Sequence, residues 1–289
     1  MQKCYLCPRR CGADREKENG FCGGGNMLKI AKIMIHRAEE PVISGTRGSG
    51  AVFFSGCNLG CVYCQNAPIS KGGLGKFFTE QEFIDAILSL CDKGVHNIDL
   101  ITAGHYVSLL VPALEKLKPR INVPVVYNSG GYEYASTLKM LDGLVDVYLP
   151  DFKYYDEKLA KMYSSAPDYR IIAEQAIAEM LRQCGKPVVE NGIIKRGVII
   201  RHLVLPGSRR DSINVIRLIG EKFGDAAVSI MRQYTPAFNM SDYTQLSRRV
   251  TSFEYDSVVN EAVRCGLKGF IQSKGCETED YTPDFNEIY

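Results

Sequence analysis

Ala51-Val52-Phe53-Phe54-Ser55-Gly56-Cys57-Asn58-Leu59-Gly60-Cys61-Val62-Tyr63-Cys64 runs from a short apolar, β-rich segment straight into a loop with three cysteines at C-x3-C-x2-C spacing. The apolar part reads as a buried strand that stops at Gly56. Similar runs recur downstream at Ile98-Asp99-Leu100-Ile101, Val123-Pro124-Val125-Val126-Tyr127, Val145-Asp146-Val147-Tyr148-Leu149, Val198-Ile199-Ile200-Arg201 and Val228-Ser229-Ile230-Met231, with a last short one at Phe270-Ile271-Gln272. Amphipathic helical stretches separate them. That alternation predicts a parallel sheet with crossover helices. Six or seven units fit a barrel, and the lack of G-x-G-x-x-G after the first strand argues against a flat doubly wound sheet. The expectation is an α/β fold, a partial (β/α)6-type TIM barrel over residues 28–289, preceded by a small Cys-rich metal-binding lobe over residues 1–27.

Local signals sharpen this outline. Thr79-Glu80-Gln81-Glu82 is a capping box, followed by Phe83, Ile84, Ile87, Leu88 and Cys91 at helical spacing, with Gly94 as the stop. Asp211 or Ser212 is expected to cap a helix containing Ile213, Ile216, Leu218 and Ile219. Leu28 to Ile35 reads as a strand or a short helix. Lys186 to Gly197 reads as an inserted hairpin, with Asn191-Gly192 as its type I′ turn. Residues 237–250 are polar and irregular and read as a loop over the open face.

The chain has 289 residues, 45% of them apolar and 24% charged, with a formal net charge of +2. This is ordinary globular composition and gives no reason to expect a nucleic acid or other polyanion as partner. No apolar run approaches the length of a membrane span, and no signal-peptide core follows Met1. A cytoplasmic location is the expectation. Seven of the eleven cysteines fall in two tight clusters, which in a reducing compartment favours metal binding over disulfides.

The loops after the C-terminal ends of strands are the working loops of a βα fold, and Cys57, Cys61 and Cys64 stand on one. A cubane [4Fe–4S] cluster normally takes four cysteines, so three leave one iron open for chemistry. A zinc knuckle completed by His36 or Cys91 is the alternative, although zinc sites usually draw paired ligands. Cys4, Cys7, Cys11 and Cys22 form a second set that would close a site, either zinc or an auxiliary Fe–S cluster. Cys184, Cys265 and Cys276 read as ordinary residues.

The run Cys57-x3-Cys61-x-Tyr63-Cys64 resembles the hallmark of the radical S-adenosylmethionine (SAM) enzymes. His36-Arg37-Ala38-Glu39-Glu40-Pro41, Ser44 to Gly50, Phe53 through Asn66, and Cys4-x2-Cys7-Pro8-Arg9-Arg10-Cys11-Gly12 are similar to the pyruvate formate-lyase activating enzyme-related branch. The resemblance implies a [4Fe–4S] cluster whose open iron is chelated by SAM, with Tyr63 against the adenine. It also implies reductive cleavage to a 5′-deoxyadenosyl radical that abstracts hydrogen. An electron donor such as flavodoxin or ferredoxin and a glycyl radical enzyme as partner belong to the same implication.

Strand ends supply further candidates. The resemblance places the backbone of Gly104 near the SAM amino group, with His105 where activating enzymes carry an acid. Asp151 and Lys153 match an Asp-x-Lys beside SAM, and Arg201 matches an arginine near its carboxylate. Asn128 and Ser129 offer polar groups after the third strand, and Gln233 is placed to face ribose or substrate. Of Arg201 and His202, only one faces the barrel interior, because neighbours on a strand point opposite ways. The function expected is radical SAM chemistry, with glycyl radical activation as the first reading. A small molecule, peptide or nucleotide substrate is the alternative, and a non-enzymatic Fe–S or zinc protein the second.

Overall fold

A computed structural model describes residues 3–71, 73–236, 242–275 and 285. The strands are β1 (Leu28–His36), β2 (Ser49–Phe54), β3 (Lys76–Phe78), β4 (Ile98–Ile101), β5 (Val125–Ser129), β6 (Val147–Pro150), β7 (Val188–Glu190), β8 (Ile193–Leu203), β9 (Ala227–Met231) and β10 (Gly269–Ile271). The helices are α1 (Pro41–Ser44), α2 (Ala67–Ser70), α3 (Glu80–Asp92), α4 (Val107–Leu117), α5 (Ala135–Leu138), α6 (Glu157–Ser164), α7 (Tyr169–Cys184), α8 (Arg209–Lys222) and α9 (Ser252–Arg264).

The sheet runs in the order β10-β9-β8-β6-β5-β4-β2-β1-β3, with β7 paired to β8 off this path. From β2 to β10 every neighbour on that path is parallel. Helices cover the outer side, giving a partial βα barrel with open edges at β3 and β10. β1 is a strand, antiparallel to both β2 and β3.

The pleat sorts each strand between two environments. Val52 and Phe54, Ile98 and Leu100, Val125 and Tyr127, and Val198 and Ile200 pack outward into one large core with the helices. Their alternate neighbours face inward: Ala51, Phe53 and Ile101 form one small inner cluster with Phe285, and Val126, Val147, Leu149 and Ile199 form another. The inner surface therefore carries apolar floor residues along the strands and polar ones at the strand ends.

Several boundaries differ from those the sequence suggests. β5 begins at Val125, because Pro124 has no N–H to give and contributes only its carbonyl, to Ile98 N at 2.9 Å. β6 begins at Val147, with the Asp146 carboxylate taken by Lys118 and the Val125 amide. The α8 N-cap position is Ser208; Asp211 lies in the first turn and accepts instead from the amides of Tyr155 and Asp156. The Asn191-Gly192 turn joins β7 to β8 with φ of 51° and 79°, as a type I′ turn requires. In the loop proposed at 237–250, residues 237–241 lie outside the described residues; the rest contains a single 3-10 turn at Thr244–Ser247 that buries Leu246. Cys276 also lies outside them. No helix among the described residues is long and apolar enough to cross a membrane.

The Thr79 capping box is formed in full: Glu82 N donates to Thr79 Oγ1 at 3.3 Å, and Thr79 N donates to Glu82 Oε2 at 2.8 Å. Thr79→Ala is expected to lower stability by about 1 kcal/mol, read as a shift in the urea unfolding midpoint with the slope unchanged.

Candidate active site

Past Phe54 the chain must leave the sheet and curl back within a few residues. Gly56 makes this possible with a φ of 90° and a near-contact with the Cys22 carbonyl that any Cβ would disrupt. Cys57 N then donates to that same carbonyl at 3.0 Å, tying the three-cysteine loop to the N-terminal segment. Gly60 takes a φ of 87° and completes the curl. Leu59 N donates to Cys57 Sγ at 3.4 Å, and Ser164 Oγ donates to Cys61 Sγ at 2.9 Å.

Arg9 clamps the loop from outside. Its Nε donates to the Asn58 carbonyl at 2.6 Å, and its Nη2 donates to the carbonyls of Leu59 at 2.7 Å and Ser164 at 2.9 Å. Nη1 takes the Ser165 carbonyl. The guanidinium also lies over the rings of Phe21 and Tyr132, at 4.5 and 5.2 Å from their centroids. Asn58 Nδ2 donates to the Tyr132 carbonyl at 2.6 Å.

Cys57, Cys61 and Cys64 line a cavity of about 510 Å³ at the C-terminal ends of the parallel strands. Burial pushes the Cys57 thiol up to about 12, and its neighbour Cys61 adds to the shift. Burial and Cys61 push Cys64 up as well. Three thiols in one buried space thus resist ionisation, and a cationic metal centre among them is what would reverse that preference. Among the described residues, no three or more His, Cys, Asp or Glu side chains are drawn together closely enough to hold a single metal ion. A four-iron cluster, which holds its thiolates apart, is the larger guest that suits this donor set. Cys91 lies on α3, away from the cavity, whereas His36 lines it.

The cavity also gathers Tyr63, Gly104, His105, Asn128, Ser129, Asp151, Lys153, Arg201 and Gln233. Lys153 Nζ reaches Asp151 Oδ2 at 2.5 Å. Burial works against the lysine's charge, but Asp151 outweighs it and holds Lys153 protonated. Arg201 is already paired: its Nε donates to Glu40 Oε1 at 2.9 Å, and its Nη2 to Glu39 and Glu40. Beneath them Asp99 is fully buried, and burial, reinforced by Glu39, pushes its carboxyl well above the usual range. Gln272 Nε2 donates to Gln233 Oε1 at 2.6 Å. His202 turns away from the cavity, with its Nδ1 2.7 Å from the Phe152 carbonyl.

His105 opens a 3-10 turn before α4, with its Nε2 2.8 Å from the Ser55 carbonyl. Burial lowers its pKa to about 4, so the ring is neutral and Nε2 carries the donated hydrogen. A carboxylate that sequence reasoning passed over occupies the neighbouring space. Glu133 is buried and lines the cavity, and its Oε1 accepts from Tyr127 OH at 2.6 Å. It lies where a Cβ on Gly104 would collide with it, and its Oε2 has no hydrogen-bond partner. The available signal was an acid in Gly130-Gly131-Tyr132-Glu133, directly after a strand.

The N-terminal segment, residues 3–27, contains no helix or strand. Cys7 and Cys22 are buried, Cys4 is half-buried and Cys11 is exposed. A Cβ on Gly20 would stand 3.3 Å from Cys11 Sγ and 3.6 Å from Cys22 Sγ. Burial raises the Cys7 thiol to about 11, with Cys22 and Cys4 close enough to add to it. For Cys11, burial opposes ionisation, but the amides of Ala13 and Phe21 and the Arg15 charge win and lower its pKa. The four thiols thus share one neighbourhood. None of them lines the cavity.

The family model described as the radical SAM superfamily matches residues 51–219. An uncharacterised protein of Methanocaldococcus jannaschii is 29% identical over 280 residues, covering 92% of this chain and 76% of that protein. Among solved structures, Streptococcus suis SuiB bound to the precursor peptide SuiA is similar in fold, with a TM-score of 0.51 at 14% identity; the match covers 76% of this chain and 47% of that one. A domain of pyruvate-formate lyase-activating enzyme from Bacteroides vulgatus gives a TM-score of 0.41 at 11% identity, covering 58% of this chain and 92% of that one. Methylornithine synthase gives 0.46 at 16%, covering 81% and 74%.

Burial lowers the His202 pKa to about 4, from 6.5. The unfolded chain therefore binds a proton that the folded chain refuses. The stability contribution is complete above pH 6.5 and is lost as pH falls toward 4. His202→Gln keeps a donor for the Phe152 carbonyl without titrating. The stability difference between wild type and this variant is expected to shrink across that window by up to ~1.4 kcal/mol per pH unit, measured by denaturant titration at each pH.

Proposed function

The chain belongs to the radical SAM superfamily, and from that premise we propose that it cleaves S-adenosylmethionine reductively at a [4Fe–4S] cluster held by Cys57, Cys61 and Cys64. The observation that supports this most directly is the meeting of three buried thiols with the polar ends of the parallel strands in one cavity. When bound, the cluster supplies the electron that splits the sulfonium and frees a 5′-deoxyadenosyl radical for hydrogen abstraction.

The chain's own residues bind and orient. Three thiolates leave one coordination position unfilled by protein. Lys153, held charged by Asp151, is the cation offered to the SAM carboxylate. Arg201 stands behind it, already shared between Glu39 and Glu40. Glu133 is the acceptor for the SAM amino group, through the oxygen that has no other partner; the His105 Nε2 hydrogen is committed to Ser55. The Gly104 backbone gives close approach, Tyr63 forms the wall against the adenine, and Asn128, Ser129 and Gln233 face ribose or substrate. Cys4, Cys7, Cys11 and Cys22 hold zinc or an auxiliary Fe–S cluster in a lobe over residues 1–27, distinct from the barrel over 28–289.

Membership in a family of enzymes sets aside a purely electron-carrying or assembly role. The hydrogen donor is assigned first to a glycine loop of a glycyl radical enzyme, on the resemblance of the N-terminal and cluster-loop motifs to activating enzymes. A small molecule, peptide or nucleotide entering the same cavity is the alternative. The reductant is a low-potential electron carrier such as flavodoxin or ferredoxin, and the location is the cytoplasm.

After anaerobic reconstitution with iron and sulfide, addition of SAM and dithionite is expected to yield 5′-deoxyadenosine, read by chromatography. Cys61→Ala is expected to abolish it and Cys4→Ala to retain it; cleavage by the Cys61→Ala variant would falsify the cluster assignment. Glu133→Gln is expected to weaken SAM binding about tenfold by calorimetry, the loss typical of one charge-assisted hydrogen bond.

A further inference from the structure

One buried line of hydroxyls leads to the cluster loop from a direction that the binding roles above leave unused. Tyr63 OH lies 2.6 Å from Tyr154 OH, Tyr154 OH lies 2.6 Å from Ser164 Oγ, and Ser164 Oγ lies 2.9 Å from Cys61 Sγ. Ser164 is fully buried, and Tyr63 and Tyr154 nearly so. Ser164 is the last residue of α6, and its place is fixed on both sides. Arg9 holds its carbonyl and that of Ser165, and Ser165 turns left-handed with a φ of 49° to end the helix.

We propose that Ser164 is a positioning residue that sets the reduction potential of the four-iron cluster, donating its hydroxyl hydrogen to Cys61 Sγ in a direction enforced by Tyr154 and Tyr63. The proposal rests on the assignment of that cluster to Cys57, Cys61 and Cys64.

The direction follows from counting hydrogens. An iron-bound thiolate has none to give, so it only accepts. Ser164 has one hydroxyl hydrogen, and a bond to Cys61 uses it. Ser164 Oγ must then accept from Tyr154, whose oxygen in turn accepts from Tyr63. Each link leaves the next oxygen a better donor toward the sulfur, and the dry surroundings strengthen every step. Reduction places one electron, delivered by a one-electron reductant, on the cluster. No bond to Cys61 breaks and no proton leaves the chain. The added charge makes the sulfur a stronger acceptor, so the bond stabilises the reduced form more than the oxidised form and raises the potential.

The same line links the potential to the aromatic wall of the cavity. Tyr63 both lines the cavity and heads the hydroxyl chain, so a group stacked on its ring and the electron affinity of the cluster act through one side chain.

The test is an anaerobic redox titration followed by electron paramagnetic resonance, with iron and acid-labile sulfide measured on each sample. Ser164→Ala is expected to make one-electron reduction about tenfold less favourable, a negative shift of ~59 mV. Tyr154→Phe is expected to shift the potential the same way by less, because the serine keeps its hydrogen but loses its orienting partner. Ser164→Thr retains the hydroxyl and is expected to stay near wild type. Tyr163→Phe, altered in a ring that packs on Tyr63 and Tyr154 without joining the chain, is expected to change nothing. Wild-type potential in cluster-loaded Ser164→Ala overturns the proposal. Should that variant fail to hold its cluster, an unshifted Tyr154→Phe overturns it equally. A wild-type protein without a four-iron signal, or a Cys61→Ala protein that keeps one intact, overturns the cluster assignment itself.

Discussion

Three thiols crowded into a buried pocket cannot all ionise unless positive charge is placed among them. That constraint shapes everything around the loop after β2. Burial alone drives Cys57 to about 12, and the nearest fixed cation inside the cavity, Lys153, is occupied by Asp151. The protein supplies directed hydrogens instead: an amide from Leu59 and a hydroxyl from Ser164, both aimed at sulfur. Hydrogen bonds of this kind steady a thiolate that a metal has already created, but they do not create it.

The opposite side of the cavity has the opposite imbalance. Arg201 is shared between Glu39 and Glu40, and Asp99 lies below with its carboxyl driven toward the neutral form. One guanidinium between two ionised carboxylates leaves a residual negative charge in a poorly hydrated place. Glu133, with one oxygen unpartnered, adds a second acceptor near the thiol side. The cavity is therefore anionic along its carboxylates and cationic at Lys153, a polarity that suits a guest carrying both signs.

What the sequence revealed and what it concealed divide by range. The strand-and-loop unit at 51–64, the Thr79 capping box and the Asn191-Gly192 turn each depend on residues within a few positions, so spacing and residue type were enough to place them. The strand-end residues from Gly104 to Gln233 were legible for the same reason, since the last residue of a parallel strand stands at the mouth of the barrel wherever the strand lies. Glu133, Arg9 and Ser164 escaped notice because their partners are remote: Arg9 meets carbonyls 49 and 155 residues away, and Ser164 meets a sulfur 103 residues back. Asp211 was misplaced as a cap because a helix-start aspartate looks alike whether it serves its own amides or, as here, those of Tyr155 and Asp156.

Arg9 also orders events in time. Its hydrogen bonds span from residue 9 to residue 165, so the grip cannot close until more than half of the polypeptide has been synthesised and α6 has docked. The first residues to leave the ribosome are thus among the last to reach their final seats. Until then the three-cysteine loop stands uncovered on that side, and the clamp falls shut over it from outside.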